Sequence, residues 1–400
     1  MKQNVEKLYQ ISHKPSRKII GLMSGTSLDG LDVALCEVRG DGLQTSIKLI
    51  EFETVTFTTD FKNEVKEIFS KKNIDLEKMT LLNAWIAQEH AGIINLLLEK
   101  WKINAAEVDL IASHGQTIYH APKSLHQQQK FSNATLQIGD GDHISVATGI
   151  ITLSDFRQKH IAAGGEGAPL AVYGDYLIFG KQGEDRILLN IGGIANFTYL
   201  PGNMDSAEIF STDTGAGNTM MDALTQQHFK GKYFDENAII ALQGKINDAL
   251  LVALKQHDFF TKPFPKTTGP ELFNLTYLQQ AKKLSSTQNI SIEDTMATLN
   301  KFSADTIVDA IQKTTDAHKT YKLFSSGGGI HNPLLMKDLK EALPNFIFDT
   351  TSVLQINPDA KEAVLFAVLA NECVCGNSEY LQNGIKGIPV VSMGKISFPN

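Results

Sequence analysis

Residues 18–30 read Lys18-Ile-Ile-Gly-Leu-Met23 and then Ser24-Gly25-Thr26-Ser27-Leu28-Asp29-Gly30. The first six form a short apolar strand, and the next seven a turn bounded by glycines. Apolar strands follow at 31–38 and 47–57, through connections too short for a crossover helix, so the three form an antiparallel meander. The period then changes from two to that of a helix, with Leu82, Trp85, Ile86, Ile93, Leu96 and Leu97 on one face. Strands are expected at 109–113, 135–138 and 150–153, with a helix before the last.

After Asp155 the order begins again. A strand at 186–191 enters the turn Gly192-Gly193, a return strand covers 194–200, and another covers 207–211. Long helical stretches come next, one opening with the capping pattern Ser291 to Asp294. A strand at 321–324 leads into Gly327-Gly328-Gly329, followed by a helix, a strand at 346–348 and a last helix from 358. A meander followed by strand–helix alternation therefore occurs twice. The expectation is an α/β chain of two similar domains around an interdomain cleft, divided as 1–154 plus 386–400 and 155–385.

Four hundred residues, 42% of them hydrophobic and 20% charged, suffice for two packed cores. A net charge of −7 gives no electrostatic support for binding nucleic acid. Three cysteines cannot build a disulfide framework. Cys373 and Cys375 lie in an apolar, helix-like run and read as small buried side chains. No run approaches the ~18 apolar residues of a membrane span. The opening 1–18 is polar, with no apolar stretch after its basic residues, so no secretory signal is expected and the chain is expected to be cytoplasmic. Its first seventeen residues are expected to be peripheral or poorly ordered.

Glycines after strands let backbone N–H groups approach phosphate oxygens. Here there are four such places: 25–30, 192–193, 215–217 and 327–329. None fits G-x-x-x-x-G-K-[ST] or G-x-G-x-x-G, so a P-loop or Rossmann site is not supported. Asp29 and Asp32 could hold hydrated Mg²⁺ beside phosphate. An Asp-Gly hairpin turn at Asp29-Gly30 is the plain alternative. Two polar clusters, Ser113-His114-Gly115-Gln116-Thr117 and Ser154-Asp155-Phe156-Arg157, follow apolar strands. Strand ends are where α/β folds keep their sites. His114 read alone is a satisfied structural histidine, and Asp155 and Arg157 read alone pair with each other or with unrelated neighbours.

Together these motifs resemble the 1,6-anhydro-N-acetylmuramic acid kinases of the actin, hexokinase and Hsp70 superfamily. The resemblance is carried by Gly21-Leu-Met-Ser-Gly-Thr-Ser-Leu-Asp-Gly30 with Leu31-Asp32, Ser113 to Thr117, Gln137-Ile-Gly139, Asp155-Phe-Arg157, Gly164-Gly-Glu-Gly-Ala-Pro-Leu170, Asn190-Ile-Gly-Gly193, Asp213-Thr-Gly-Ala-Gly-Asn218, Thr268-Gly269 with Phe273-Asn274, and Gly327 to Gly329. These run in the family's order over nearly the whole chain. The resemblance implies a two-domain, duplicated actin-like (ribonuclease H-like) fold. It also implies ring-opening phosphorylation of 1,6-anhydro-N-acetylmuramic acid by ATP and water, a step in recycling cell-wall sugars. Mg²⁺ is the implied cofactor, and a homodimer the implied assembly, with neither nucleic acid nor membrane as partner.

By motif, Gly25, Thr26, Ser27, Leu28, Asp29, Gly30, Leu31 and Asp32 would bind ATP phosphates, with Mg²⁺ held through water by Asp29 or Asp32. Gly192 and Gly193 would form the second phosphate turn, and Gly327, Gly328 and Gly329 would meet the adenosine. Asp213 matches the catalytic base. His114, Gln116, Thr117, Asp155, Arg157 and Glu362 would hold the sugar, Glu362 through its helix position. Glu166 stands where the family usually has glutamine, which would change donor capacity and add repulsion toward a lactyl carboxylate. Two other readings stay open: a kinase of this fold for another sugar, and a non-catalytic ATP-binding sensor.

Overall fold

The computed structural model describes residues 2–25, 28–167, 170–354, 356–376, 389 and 391–400. Thr26, Ser27, Ala168 and Pro169 of the quoted motifs lie outside the described residues.

The chain divides into two compact units. The first comprises Met1–Gly180, Asp205–Glu208 and Gln355–Asn400, and the second Lys181–Met204 and Ile209–Leu354. The break thus falls after Gly180 rather than after 154. The helix Lys361–Cys375 groups with the first unit because it packs on the first unit's sheet.

In the first unit β1 (Ser16–Ser24), β2 (Gly30–Arg39) and β3 (Ser46–Thr56) form the expected antiparallel meander. Next come β4 (Leu110–Ala121), β5 (Ala134–Ile138) and β6 (Thr152–Ser154). β4 runs parallel to β1, and β6 parallel to β4, which places β1 inside the sheet in the order β6-β4-β1-β2-β3. A final strand, Lys395–Ser397, pairs antiparallel with β6. The long helix Leu76–Trp101 makes the crossover that a parallel β1–β4 pair needs. Asp75 starts that helix by accepting N–H bonds from Glu77 and Lys78, and Lys102 in the left-handed region ends it. Its Leu82, Ile86, Ala87 and Ile94 pack on Ile20, Leu22, Val33 and Leu35 of the sheet. Each large side chain so buried contributes about 1.5–3 kcal/mol.

The helix Lys361–Cys375 is buried along its length from Ala363 to Glu372. It approaches β1 so closely that a Cβ on Gly21 would lie 1.9 Å from the Ala363 carbonyl oxygen. Cys373 and Cys375, near its end, are only partly buried, and all three cysteines are free thiols.

The second unit repeats the pattern with β7 (Arg186–Ile191), β8 (Ile194–Leu200), β9 (Phe210–Ala216), β10 (Tyr321–Ser326) and β11 (Phe346–Thr350) in the order β11-β10-β7-β8-β9. The first three strands are antiparallel, and β10 and β11 are parallel to β7. In both units, three antiparallel strands precede two parallel ones, and the first strand lies between the second and the fourth. This is the duplicated actin-like, ribonuclease H-like arrangement. The helix Ile292–Thr314 covers the second sheet, with Ala304, Ile307 and Ile311 packed on Ile187, Leu189 and Phe197. Ser291 caps its start, while the Asp294 carboxylate accepts from the Lys245 N–H.

Several expectations are corrected. The polar run Ser113 to Thr117 lies inside β4, which bends at Gly115 (φ +70°) and continues by pairing with β5. Asp213-Thr-Gly likewise lies inside β9, which starts at Phe210, because residues 206–208 form a 3₁₀ turn. The last α-helix starts at Lys361, after a 3₁₀ turn at Pro358–Ala360. Between the paired residues Ser24 and Leu31 the turn spans six residues, so Asp29-Gly30 is no two-residue hairpin.

The N-terminal stretch is structured rather than loose. Lys2–Ser12 is a helix that buries Ile11. Its Asn4 side-chain amide donates to the Asn400 backbone carbonyl and Oδ1. Buried Arg17 donates to Asn371 Oδ1, Lys14 O and Gly40 O.

Candidate active site

The first unit contributes the turn after β1. Ser24 Oγ donates to Gln116 Oε1 at 2.5 Å, and Gln116 Nε2 reaches Gly25 O at 3.4 Å. Gln116 is fully buried. It ties β4 to the turn, its Nε2 also reaching Thr117 O at 3.4 Å. Leu28, at φ +59°, drops its side chain into the core, as does Leu31, so both can offer only backbone to a phosphate. A Cβ on Gly30 would lie 2.6 Å from Val55 O.

Asp29 is exposed, and half-buried Asp32 accepts from Thr54 Oγ1 at 2.5 Å. Burial raises the Asp32 carboxyl above its ordinary range, the Thr54 bond opposes this, and Asp359 adds to it. Glu362 opens to solvent but is surrounded by protein on most sides. That desolvation raises its carboxyl, Asp32 and Asp175 add to the effect, and Lys361 and Arg157 oppose it. Among the described residues no three such side chains gather to hold a metal directly, so Asp32 and its neighbours would reach a hydrated Mg²⁺ only through water.

Where β4 and β5 meet the helix Phe156–Ala162, four side chains converge. Arg157 Nε and Nη2 and Gln137 Nε2 all point at His114 Nε2, at 3.3, 3.0 and 2.7 Å. With those donors on Nε2, the imidazole is neutral and carries its proton on Nδ1. Burial, helped by the Arg157 charge, depresses its pKa to about 3. Gln137 Nε2 also donates to Thr117 Oγ1 at 3.1 Å, and Arg157 Nη1 to Gly167 O at 2.9 Å.

His114 is buried and holds Arg157 through Nε2, while its Nδ1 has no hydrogen-bond partner among the described residues. Asp155, at φ +54°, pairs with Lys395 from the last strand rather than with Arg157. Glu166 is exposed and accepts from Ser124 Oγ at 3.4 Å.

In the second unit the glycine turns gather at the end of β7. Gly193 O accepts from Gly217 N at 2.8 Å and from Thr219 N at 3.1 Å, and Gly192 O accepts from Asn218 N at 2.9 Å. Gly327, at φ +84°, sits against Asn190 and Ile191, and Gly329 against Ile191. Gly328 meets nothing closer than Asn218 Nδ2 at 3.9 Å, which leaves its face open.

Beside these turns, Asp213 Oδ2 accepts from the Thr268 N–H at 2.8 Å. Burial raises the Asp213 carboxyl to about 6; the Thr268 bond lowers it and Glu271 raises it. Such a carboxylate is poised to take a proton near neutral pH.

Anhydro-N-acetylmuramic acid kinase is the family whose profile matches residues 17–395. The chain belongs to this family. It is 54% identical over its full length to an anhydro-N-acetylmuramic acid kinase of Pseudoalteromonas atlantica, all of which is covered. Against the enzyme of that name from Caldanaerobacter subterraneus it is 37% identical, covering 98% of this chain and 100% of the relative. A ROK family glucokinase from Streptomyces griseus, solved with glucose and AMPPNP, aligns with TM-score 0.34 at 12% identity over 88% of this chain and 98% of that one.

Gln137 stands within a quoted motif with no role attached to it, and Lys395, Glu271 and Lys266 belong to no motif. Gln137 was detectable from the polar residue that interrupts an apolar strand. Lys395 and Glu271 had no local signal, because Asp155 and Asp213 lie far away along the chain, whereas Lys266 stands within seven residues of Phe259, Phe260 and Phe264.

Proposed function

We propose that this kinase opens the 1,6-anhydro bridge of anhydro-N-acetylmuramic acid with water while transferring the ATP γ-phosphoryl group to O6. The products are N-acetylmuramic acid 6-phosphate and ADP. The observation that carries the reading is Asp213, a half-buried carboxylate held by a backbone N–H with its pKa lifted to about 6, in a chain of this family. The bridge joins C1 to O6, and an alkoxide is a poor leaving group. O6 leaves readily once it captures the phosphoryl group. Asp213 takes the proton of a water aimed at C1, as the base of an inverting glycosidase does.

In this reading Arg157, oriented by His114, binds the sugar together with Thr117, Asp155 and Glu362. Backbone amides of the turns at 25–30, 192–193 and 327–329 cradle ATP. Asp29 and Asp32 would hold Mg²⁺ through water. When bound, the metal neutralises charge on the transferring phosphoryl group. A sensor would have no use for a poised base. ATP as co-substrate and three free thiols fit a cytoplasmic enzyme. Among the described residues no helix is long and apolar enough to cross a membrane. A homodimer rests on the family resemblance.

The test is incubation with Mg-ATP and the anhydro sugar in ¹⁸O-labelled water, with prompt mass spectrometry before the anomeric oxygen exchanges. One phosphate and one heavy oxygen at C1 in the same product is the expected result. Phosphorylated sugar without the label would replace this reading with an ordinary hydroxyl kinase.

A further inference from the structure

Lys266 is a buried cation, only 8% exposed. Its ammonium lies 4.5 Å from the ring centres of both Phe259 and Phe264 and 5.9 Å from that of Phe260, and donates to Phe259 O at 2.9 Å. Its backbone is equally engaged. The Lys266 N–H donates to Thr212 Oγ1 at 3.0 Å, and its carbonyl accepts from Asp213 N at 2.9 Å and Thr212 Oγ1 at 3.2 Å. Two residues further on, the Thr268 N–H meets Asp213 Oδ2 at 2.8 Å.

A methionine or leucine would fill a space walled by phenyl rings without the desolvation cost of an ammonium. A cation adds direction. It is held over ring faces and bonded to one carbonyl, so it pins the segment at a definite register along β9. The Phe259 carbonyl anchors one end of the loop and Lys266 the other, and the segment leaving Lys266 carries the donor that Asp213 needs.

We propose that Lys266 is a positioning residue for the catalytic base: its ammonium, caged by Phe259, Phe260 and Phe264, fixes the 264–268 segment that delivers the Thr268 N–H to the Asp213 carboxylate. This rests on the reading of Asp213 as the base. Loss of the cage loosens that N–H bond, which favours the charged carboxylate, so the base becomes harder to ionise.

The test is the pH profile of kcat/KM for the full-length Lys266→Met enzyme. The acid limb is expected to move up by about half to one pH unit, and kcat to fall by about tenfold. The Kd for ATP should stay within about twofold of wild type. Lys266→Arg retains the cation and should restore the limb. Phe264→Leu, which keeps the charge and removes one ring, should give a smaller shift in the same direction and serves if the methionine variant does not fold. Unmoved limbs in Lys266→Met and Phe264→Leu, with only a lower Tm, would overturn the proposal. Asp213→Asn separates the two levels. If it turns over, the base assignment fails; if it is inactive while the other variants keep the wild-type limb, only the role of Lys266 fails.

Discussion

Asp213 shows how one residue's surroundings set its chemistry. Burial disfavours its charged form, the Thr268 N–H favours it, and burial wins, leaving the carboxyl at about 6. A base works only when ionised, so kcat/KM should fall as pH drops through about 6, by about tenfold per unit below it. A surface aspartate would hold activity down to about pH 4. Rates measured from pH 8 to pH 4.5 decide between these, and a flat profile to pH 5 would remove Asp213 from the role of base. The aspartate was legible in the sequence because Asp-Thr-Gly-Ala-Gly-Asn is a compact motif. Its raised pKa was not, since desolvation and Glu271 belong to the folded neighbourhood.

At the scale of elements, the turns of the second unit separate glycines that the fold needs from one that a ligand needs. A Cβ on Gly217 would lie 2.3 Å from Gly192 O, backbone against backbone, with no side chain to yield. Gly217→Ala should therefore lower stability, by roughly 2–4 kcal/mol, and weaken ATP binding as well. Gly328 faces open space. Gly328→Ala should leave the Tm within about 1–2 °C of wild type, yet raise the ATP KM severalfold if adenosine lies against that face. Denaturant melts and ATP saturation curves on both variants check the contrast; unchanged ATP affinity in Gly328→Ala would take the 327–329 turn out of the nucleotide site. The positions of these turns follow from glycines after apolar strands. Which glycine bears a backbone contact was not legible, because that depends on how the turn between β7 and β8 meets the ends of β9 and β10.

The first unit as a whole stores a pH dependence. His90 and His160 are depressed to about 4 and His114 to about 3, all mainly by burial, with Arg157 adding at His114 and His160. Their unfolded value is about 6.5. Between that value and the folded one, the unfolded chain binds more protons, so stability falls as pH drops. The contribution is complete above about pH 6.5 and is lost progressively toward pH 4. Fully buried His90 alone accounts for roughly 3 kcal/mol over that window. Urea midpoints at pH 7, 6 and 5 should decrease in order, and His90→Leu should flatten the decrease. An unchanged slope in that variant would show that His90 titrates freely.

The sequence alone determined the repeated strand meander, the glycine turns and the acid at the head of its motif. These are written locally, in a two-residue or helical period and in residues that tolerate special backbone angles. Tertiary structure decided what each polar group meets. Asp155 finds Lys395, Arg17 finds Asn371, Asn4 finds Asn400, and His114 turns inward to hold Arg157. These pairings arise because parallel strands and a returning C-terminus bring distant segments side by side. No local pattern encodes a partner hundreds of residues away.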